Sequence, residues 1–467
     1  MSEKTEVERL KEKLFYQPKH ACEVVSAEEV ANADRFCEGY KAFLNAAKTE
    51  REAVTYMEET ARALGFTEYD RDKKYAPGDK VFYNNRGKAI VLAVMGKKPL
   101  REGVRLSAAH IDSPRLDLKP NPLYEDNALA LFKTHYYGGI KKYQWTCIPL
   151  SLHGVIIKKD GESVKVNIGE DAGDPQFVVT DLLPHLAAEQ MKRKLSDGVR
   201  GEELNVLVGS RPFCADEGSE KVKLNILQIL FEKYGVTEGD FLSAELEAVP
   251  AFPARDIGLD RSMIGAYGHD DRVCAYPAAE AIFAVNDPDY TLVTCLTDKE
   301  EIGSEGNTGL NSSYLRYFIA DLAKSAGEDY HTVLSHTRCL SADVNAAFDP
   351  TFPDVSERMN ASFINNGVAI MKYTGSRGKG GTSDASAEFM GEVRRLLDRE
   401  GVVWQCCELG KVDAGGGGTV AMYLASLNMD VVDLGVPVLS MHSPFEVVSK
   451  LDVYMAYRAF KAFFEEK

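Results

Sequence analysis

The chain has 467 residues, 45% of them hydrophobic and 27% charged, with a formal net charge of −16. That balance belongs to a globular protein and excludes a disordered tail, a collagen-like rod and a small disulfide scaffold; the length predicts two or three domains. So acidic a surface repels phosphate backbones and anionic lipid, so neither a nucleic-acid nor a membrane partner is expected.

Nine cysteines, an odd number without framework spacing, predict a reduced, cytoplasmic chain. The start, Met1-Ser2-Glu3-Lys4, lacks the apolar core of a signal peptide, and no run is long enough to span a bilayer.

The N-terminal region predicts helices. Val7, Leu10 and Leu14 recur at helical spacing. Ser26 and Glu29 fit a capping box, and the helical pattern after them runs to about Leu64, with Gly65 as its stop. Apolar strands follow over Ala89–Val94 and Val104–Ala109, the second leading into His110-Ile111-Asp112-Ser113-Pro114. Between about Arg115 and Ala254 strand-like runs such as Gly154–Ile157 and Ser163–Ile168 alternate with Gly and Asp turns, and one helix is predicted over about Asp181–Leu195. Beyond Asp256 the alternation of strands and helices returns, with helices near Arg272–Val285 and Ser312–Ala326 and strands near Leu292–Leu296 and Val436–Met441. The expected architecture is an α/β catalytic domain with a mainly parallel sheet, residues 1–114 and 255–467, interrupted by an inserted, mostly β domain, residues 115–254.

Five chemically loaded spots sit where a strand-like run ends or in the turn beside it: His110-Ile111-Asp112, His269-Asp270-Asp271-Arg272, Asp298-Lys299-Glu300-Glu301, Ser341-Ala342-Asp343 and Met441-His442-Ser443. In open α/β sheets ligands bind at the carboxyl ends of strands, so these loops can converge although they span most of the chain. In an extended segment residues i and i+2 share a side, so Asp112 can fix the tautomer of His110 while its other nitrogen binds a metal. Three carboxylates in four residues at Asp298–Glu301 need cations or solvent to compensate them. Asp270 and Asp271 read either as a helix N-cap or as a carboxylate bridging two metals. Asp343 reads as a ligand or a turn aspartate, and His442 as a ligand or a structural histidine. Together they offer two His, two Asp and one Glu, with a spare Glu: the donors of a pair of divalent ions with oxygen and imidazole ligands, which suits zinc, cobalt or manganese.

In their order along the chain, His110-x-Asp112, Asp270, Glu300-Glu301, Asp343 and Ser440-Met441-His442-Ser443 resemble the motifs of the M18 family of metalloaminopeptidases, the aspartyl aminopeptidase and aminopeptidase I group. Supporting stretches are Tyr137-Gly138-Gly139, Pro184-His185-Leu186-Ala187 and Asp433–Ser443. The resemblance implies a zinc-peptidase-like catalytic domain with an inserted dimerisation domain. It implies two divalent ions per subunit, most simply zinc: His110 and Asp343 on one, Glu301 and His442 on the other, Asp270 on both. Asp112 would orient His110, and Glu300 would be the general base that takes the proton of a metal-activated water. His185 would serve a neighbouring subunit's site. The implied activity is release of N-terminal amino acids from short peptides with a free amino terminus, by a homo-dodecamer built from dimers.

Aspartyl-preferring members carry a lysine before a glycine near the substrate pocket. The counterpart here is Asn366-Gly367, with Lys372 or Lys379 as possible substitutes. Asp413–Thr419, with four consecutive glycines, reads as an anion cradle or as a tight, closely packed turn. Gly375–Thr382 lacks the spacing of a phosphate loop. The competing functions are a related di-metal deacylase or dipeptidase, and a self-assembling shell or cargo protein with a vestigial site.

Overall fold

The computed structural model describes residues 4–214 and 217–467. Three sheets organise it. The largest has nine strands in the order Thr67–Glu68, Lys80–Asn85, Ala89–Val94, Leu292–Thr297, Arg105–His110, Arg338–Ser341, Asp430–Gly435, Val368–Met371 and Trp404–Cys406. From Leu292–Thr297 to Asp430–Gly435 the strands run parallel, and antiparallel partners flank them on both sides.

These central strands read as continuous apolar runs because both faces are covered. Leu106 and Ala108 point into a core closed by the helix Tyr314–Ala326, through Leu315, Phe318 and Leu322. Ala109, Leu340 and Val432 face the other core, with the helices Ala27–Ala46, His269–Ala284 and Lys450–Phe464. The last of these buries Val453, Met455, Ala456 and Phe460, so its apolar stripe is core.

The region between Arg115 and Pro250 builds a separate seven-stranded antiparallel sheet around Trp145, Leu116 and Phe132. A five-stranded sheet, Arg255–Ile257, Met263–Ala266, Glu446–Ser449, Pro437–Leu439 and Asn345–Ala346, lies between the returning chain and the C-terminal strands. Among the described residues no helix is long and apolar enough to cross a membrane.

Three expectations are corrected. The helix expected without a break from Ser26 to Leu64 is two helices, Ala27–Ala46 and Glu50–Ala63. Thr49 and Glu52 form a second capping box, which restarts the helix after a break at Ala47–Thr49.

The helix expected over Asp181–Leu195 is a run of turns with short 3₁₀ pieces at Gln190–Lys192 and Leu195–Asp197. Its apolar residues Leu182, Leu183, Leu186, Met191 and Leu195 are all exposed. Without a face to bury, helical periodicity supplies too little energy to order a helix. The helix of this region is instead Lys221–Tyr234, whose Val222, Ile226, Leu227 and Leu230 pack on the insert's core.

The strand expected over Val436–Met441 is the shorter Pro437–Leu439 of the five-stranded sheet, and a strand not expected, Asp430–Gly435, precedes it in the nine-stranded sheet. At Gly435 a Cβ would lie 1.6 Å from the Asp343 carbonyl oxygen, so only glycine lets the two backbones pass there.

Candidate active site

The carboxyl ends of three neighbouring parallel strands deliver most of the site. Arg105–His110 ends in His110 and leads to Asp112; Leu292–Thr297 leads to Glu300 and Glu301; Arg338–Ser341 leads to Asp343. Asp270 comes from the entry of the helix His269–Ala284, before its backbone becomes helical (φ −77°, ψ 108°). His442 comes from the turn after Pro437–Leu439, at a positive φ of 64°.

Asp270 lies between the two imidazoles. Its Oδ1 is 3.1 Å from His110 Nε2 and its Oδ2 is 3.1 Å from His442 Nε2. Asp343 Oδ1 stands 3.8 Å from His110 Nε2, and Glu301 Oε1 stands 3.5 Å from His442 Nε2. Two triads result, His110–Asp270–Asp343 and Asp270–Glu301–His442. Within each, the candidate ligand atoms lie within 4.8 Å of one another.

The outward nitrogens of both rings are already engaged. His110 Nδ1 is 3.0 Å from the Asp112 carbonyl oxygen and 3.3 Å from Asp112 Oδ1, and His442 Nδ1–H donates to the Gly139 carbonyl at 2.8 Å. A proton fixed on Nδ1 leaves the Nε2 lone pair of each ring facing the cluster, as a metal ligand requires.

Glu300 stands apart from the triads, its Oε2 3.9 Å from His110 Nε2. Its backbone N–H and that of Glu301 both donate to the Asp112 carboxylate, at 3.1 and 3.2 Å. Asp112 therefore holds the Glu300-Glu301 turn as well as His110.

The electrostatics are those of a site short of positive charge. Burial, with the charges of Asp112 and Asp270, pushes Glu300 up to about 7. Burial and the neighbouring carboxylates push Glu301 and Asp343 well above the carboxylate range. Burial opposes a charge on His442, yet the bond from Asp270 and the charge of Glu301 lift it to about 10. Asp270 is buried too, but its two imidazole partners hold it below the usual range. The Oε1 atom of Glu301 is buried without a hydrogen-bond partner among the described residues. Protons on these groups substitute for the charge that divalent cations supply, so the donor set fits such ions. Adding zinc to the metal-free protein in weak buffer at pH 7 is therefore expected to release protons. A pH electrode reads this directly, and apparent affinity should rise with pH, because the ligands must shed those protons to bind.

Not every residue in the five spots reaches the site. His269 is buried against Tyr40 Oη (2.7 Å) and the Ile264 carbonyl (3.1 Å), and burial drops it to about 3, so it is a neutral core histidine. Asp271 turns away to accept the His110 backbone N–H. Asp298 accepts the Thr308 hydroxyl at 2.6 Å. His185 is exposed and outside the cleft of its own chain.

Two residues to which the sequence reading gave no role also hold the site. Glu446, nearly fully buried, accepts the backbone N–H of Asp270 (3.1 Å) and of His442 (2.7 Å). Tyr137 Oη donates to Asp112 Oδ2 at 2.8 Å. Glu446 opens the strand Glu446–Ser449, four residues beyond His442, where a single buried carboxylate at a strand start carries no pattern of its own.

The cluster opens into a cleft of about 560 Å³. One wall is the glycine-rich stretch, where a Cβ on Gly416 would lie 1.8 Å from the Gly375 carbonyl oxygen; close backbone packing is thus the observed role of that glycine. The other lining includes Met371, Met422, Met441, Leu409 and Val344, and among the described residues no lysine or arginine. Lys372 and Lys379 both pair with Asp384 instead.

A mixed α/β sheet that gathers imidazoles and carboxylates at the carboxyl ends of its parallel strands has the build of a metallohydrolase. The family model of the aminopeptidase I zinc metalloproteases (M18) matches residues 43–464. A Clostridium acetobutylicum protein named "Probable M18 family aminopeptidase 1" is 50% identical over 445 residues, covering 93% of this chain and 95% of that protein. The crystal structure of an M18-family aminopeptidase from Thermotoga maritima superposes with a TM-score of 0.92 at 45% identity, covering 97% of this chain and all of that one. The S. cerevisiae mApe1 dodecamer shares the fold, with a TM-score of 0.76 at 22% identity over 94% of this chain and 97% of that one. The chain belongs to the M18 family. It is a metalloaminopeptidase, a peptide hydrolase with a metal cofactor.

Proposed function

We propose that the protein holds two divalent ions, most simply zinc, and releases N-terminal residues from short peptides. In this reading His110 and Asp343 hold one ion, Glu301 and His442 the other, and Asp270 both. The observation that carries it is the Asp270 carboxylate, which offers one oxygen to each imidazole at equal distance. Ions held there would supply Lewis acidity, polarising the scissile carbonyl and making an attacking water acidic. Glu300 takes the proton of that water and returns it to the leaving amine; burial favours a carboxyl that can gain and lose a proton near neutrality. Asp112 fixes the tautomer of His110 and the position of the Glu300 backbone.

The inserted sheet region, residues 115–254, forms the dimer contact in this reading. His185 acts in the cleft of a neighbouring subunit, which suits an exposed histidine within an exposed apolar segment. The assembly is a homo-dodecamer built from dimers; a dodecamer is the state named for the S. cerevisiae relative in fold. The protein works in the cytoplasm.

The test is metal content of the purified protein, paired with hydrolysis of aminoacyl substrates, free and N-acetylated, with and without chelator. About two ions per chain and chelator-sensitive release from free amino termini alone support the reading. Release from acetylated substrates points to a deacylase, and absence of both metal and activity to a shell protein.

The cleft also sets a preference. Methionines make an adaptable apolar wall, and an acidic side chain would meet carboxylates and, among the described residues, no lysine or arginine there. Burying an unpaired carboxylate costs several kcal/mol, and about 1.4 kcal/mol is tenfold. Leucyl and methionyl substrates are therefore expected to exceed aspartyl ones by about 100-fold or more in kcat/KM. Equal rates across the panel would contradict this assignment of the pocket.

A further inference from the structure

The first hairpin of the inserted sheet, Arg115–Asp126 with Leu129–Tyr137, ends against the metal cluster. Its last residues touch the outer side of both triads. Tyr137 Oη donates to Asp112 Oδ2 at 2.8 Å, and Asp112 in turn holds His110 and the backbone of Glu300 and Glu301. Two residues on, the Gly139 carbonyl accepts Nδ1–H of His442 at 2.8 Å.

The backbone between them is tightly confined. Gly138 has φ +76°, and a Cβ there would lie 3.0 Å from Glu301 Oε2. The tyrosine ring is itself clamped. The Arg115 guanidinium, its cross-strand partner, lies 3.9 Å from the ring centroid. Arg115 is anchored in turn by Glu50 (3.2 Å), Asp117 (2.8 Å) and Glu247 (3.4 Å). Glu50 opens a helix of the catalytic region and Glu247 lies in the inserted sheet, so the clamp is gripped from both sides.

We propose that this hairpin exit is a positioning element for the metal centre: Tyr137 sets Asp112, and through it His110 and the Glu300-Glu301 turn, while the Gly139 carbonyl sets His442. The inserted sheet region thereby contributes to the chemistry through its own strand end, apart from any subunit contact it makes. A tyrosine hydroxyl suits the role because Asp112 already accepts from two backbone N–H groups and His110. The added donor fixes the remaining freedom of its carboxylate. Loss of such an outer hydrogen bond typically weakens metal binding or activity by about 10–100-fold.

This inference rests on the two-ion reading above, and the test separates them. Y137F keeps the ring over Arg115 and removes only the hydroxyl. Y136F, altered on the neighbouring half-exposed ring, is the control. The readouts are transfer of metal from the loaded protein to a chromogenic chelator, kcat and KM on a leucyl substrate, and the visible spectrum of the cobalt-substituted protein.

The expected result for Y137F is metal transfer faster by about 10–100-fold and kcat lower by a similar factor, with KM little changed. The cobalt spectrum shifts, and the thermal midpoint of the metal-free protein stays close to that of Y136F. In a D112N background Y137F should cost almost nothing further, because its effect runs through that carboxylate; this cycle also serves if the single variant loses stability. A loaded, active wild type with Y137F indistinguishable from Y136F overturns this inference alone. Full additivity of Y137F with D112N does the same. A wild type that binds no ion overturns both readings.

Discussion

Glu300→Gln is expected to lower kcat by about 10²–10⁴-fold, the range a positioned general base contributes, while metal content stays at the wild-type level. The side chain keeps its size and its backbone anchor on Asp112, but loses the ability to take a proton. It lies outside both triads, so no candidate ligand is removed. The pH dependence follows with a definite sign. Burial raises Glu300 to about 7 in the metal-free site, so its proton is held up to neutrality and lost above it. Bound cations favour the carboxylate and draw ionisation to lower pH. The acid limb of kcat/KM should therefore lie below pH 7, with activity lost as pH falls through it. Metal analysis after desalting, alongside initial rates, checks both parts. A variant that loses its ions together with its activity would reassign Glu300 as a ligand.

Asp270→Asn is expected to be at least as damaging, and in a different way. Asp270 is the residue common to the two triads, so its substitution should weaken both ions at once. Asp343→Asn, in one triad only, should reduce the occupancy of one. Metal content titrated against a competing chelator distinguishes the two patterns. In the metal-free protein Asp270→Asn removes the anion between His110 and His442, which with Asp112 keeps His110 protonated and with Glu301 keeps His442 protonated. Asp270 is held below the usual carboxylate range, so it adds stability above its unfolded pKa and loses it as pH falls through the folded one. The metal-free variant should accordingly be less stable than metal-free wild type at pH 7, with the gap closing in strong acid. Equal loss of ions in Asp270→Asn and Asp343→Asn would argue against a shared ligand.

The roles of Tyr137, Glu446 and Asp112 have a common physical basis. A buried cluster of carboxylates is held in place against its own repulsion. The structure does this with hydrogen bonds around the cluster: Asp112 accepts from the backbone N–H groups of Glu300 and Glu301 and from the Tyr137 phenol, and Glu446 accepts the backbone N–H groups of Asp270 and His442. Burial and the charge of Asp270 push Glu446 up to about 8, so it too belongs to the charge balance of the site.

Much of this protein was determined by its sequence. Apolar runs that end in His, Asp or Glu place chemistry at strand ends, because a strand buried on both faces must be apolar until it leaves the sheet. The capping box at Ser26–Glu29 is a local signal, and it corresponds to the observed helix start. The motif order from His110 to His442 was enough to point to the family.

Other features were decided by tertiary structure. The break at Ala47–Thr49 and the absence of a helix over Asp181–Leu195 depend on which faces find a core to bury. The helix Lys221–Tyr234 forms because the insert's core accepts its apolar side. The choice between Asp270 and Asp271 as the residue facing both imidazoles is a matter of side-chain direction at a non-helical entry, to which residue type is blind. The contacts of Tyr137 and Gly139 with Asp112 and His442 join residues up to 303 positions apart. No local pattern encodes such a contact, because it exists only once the inserted hairpin has folded back onto the ends of the parallel strands.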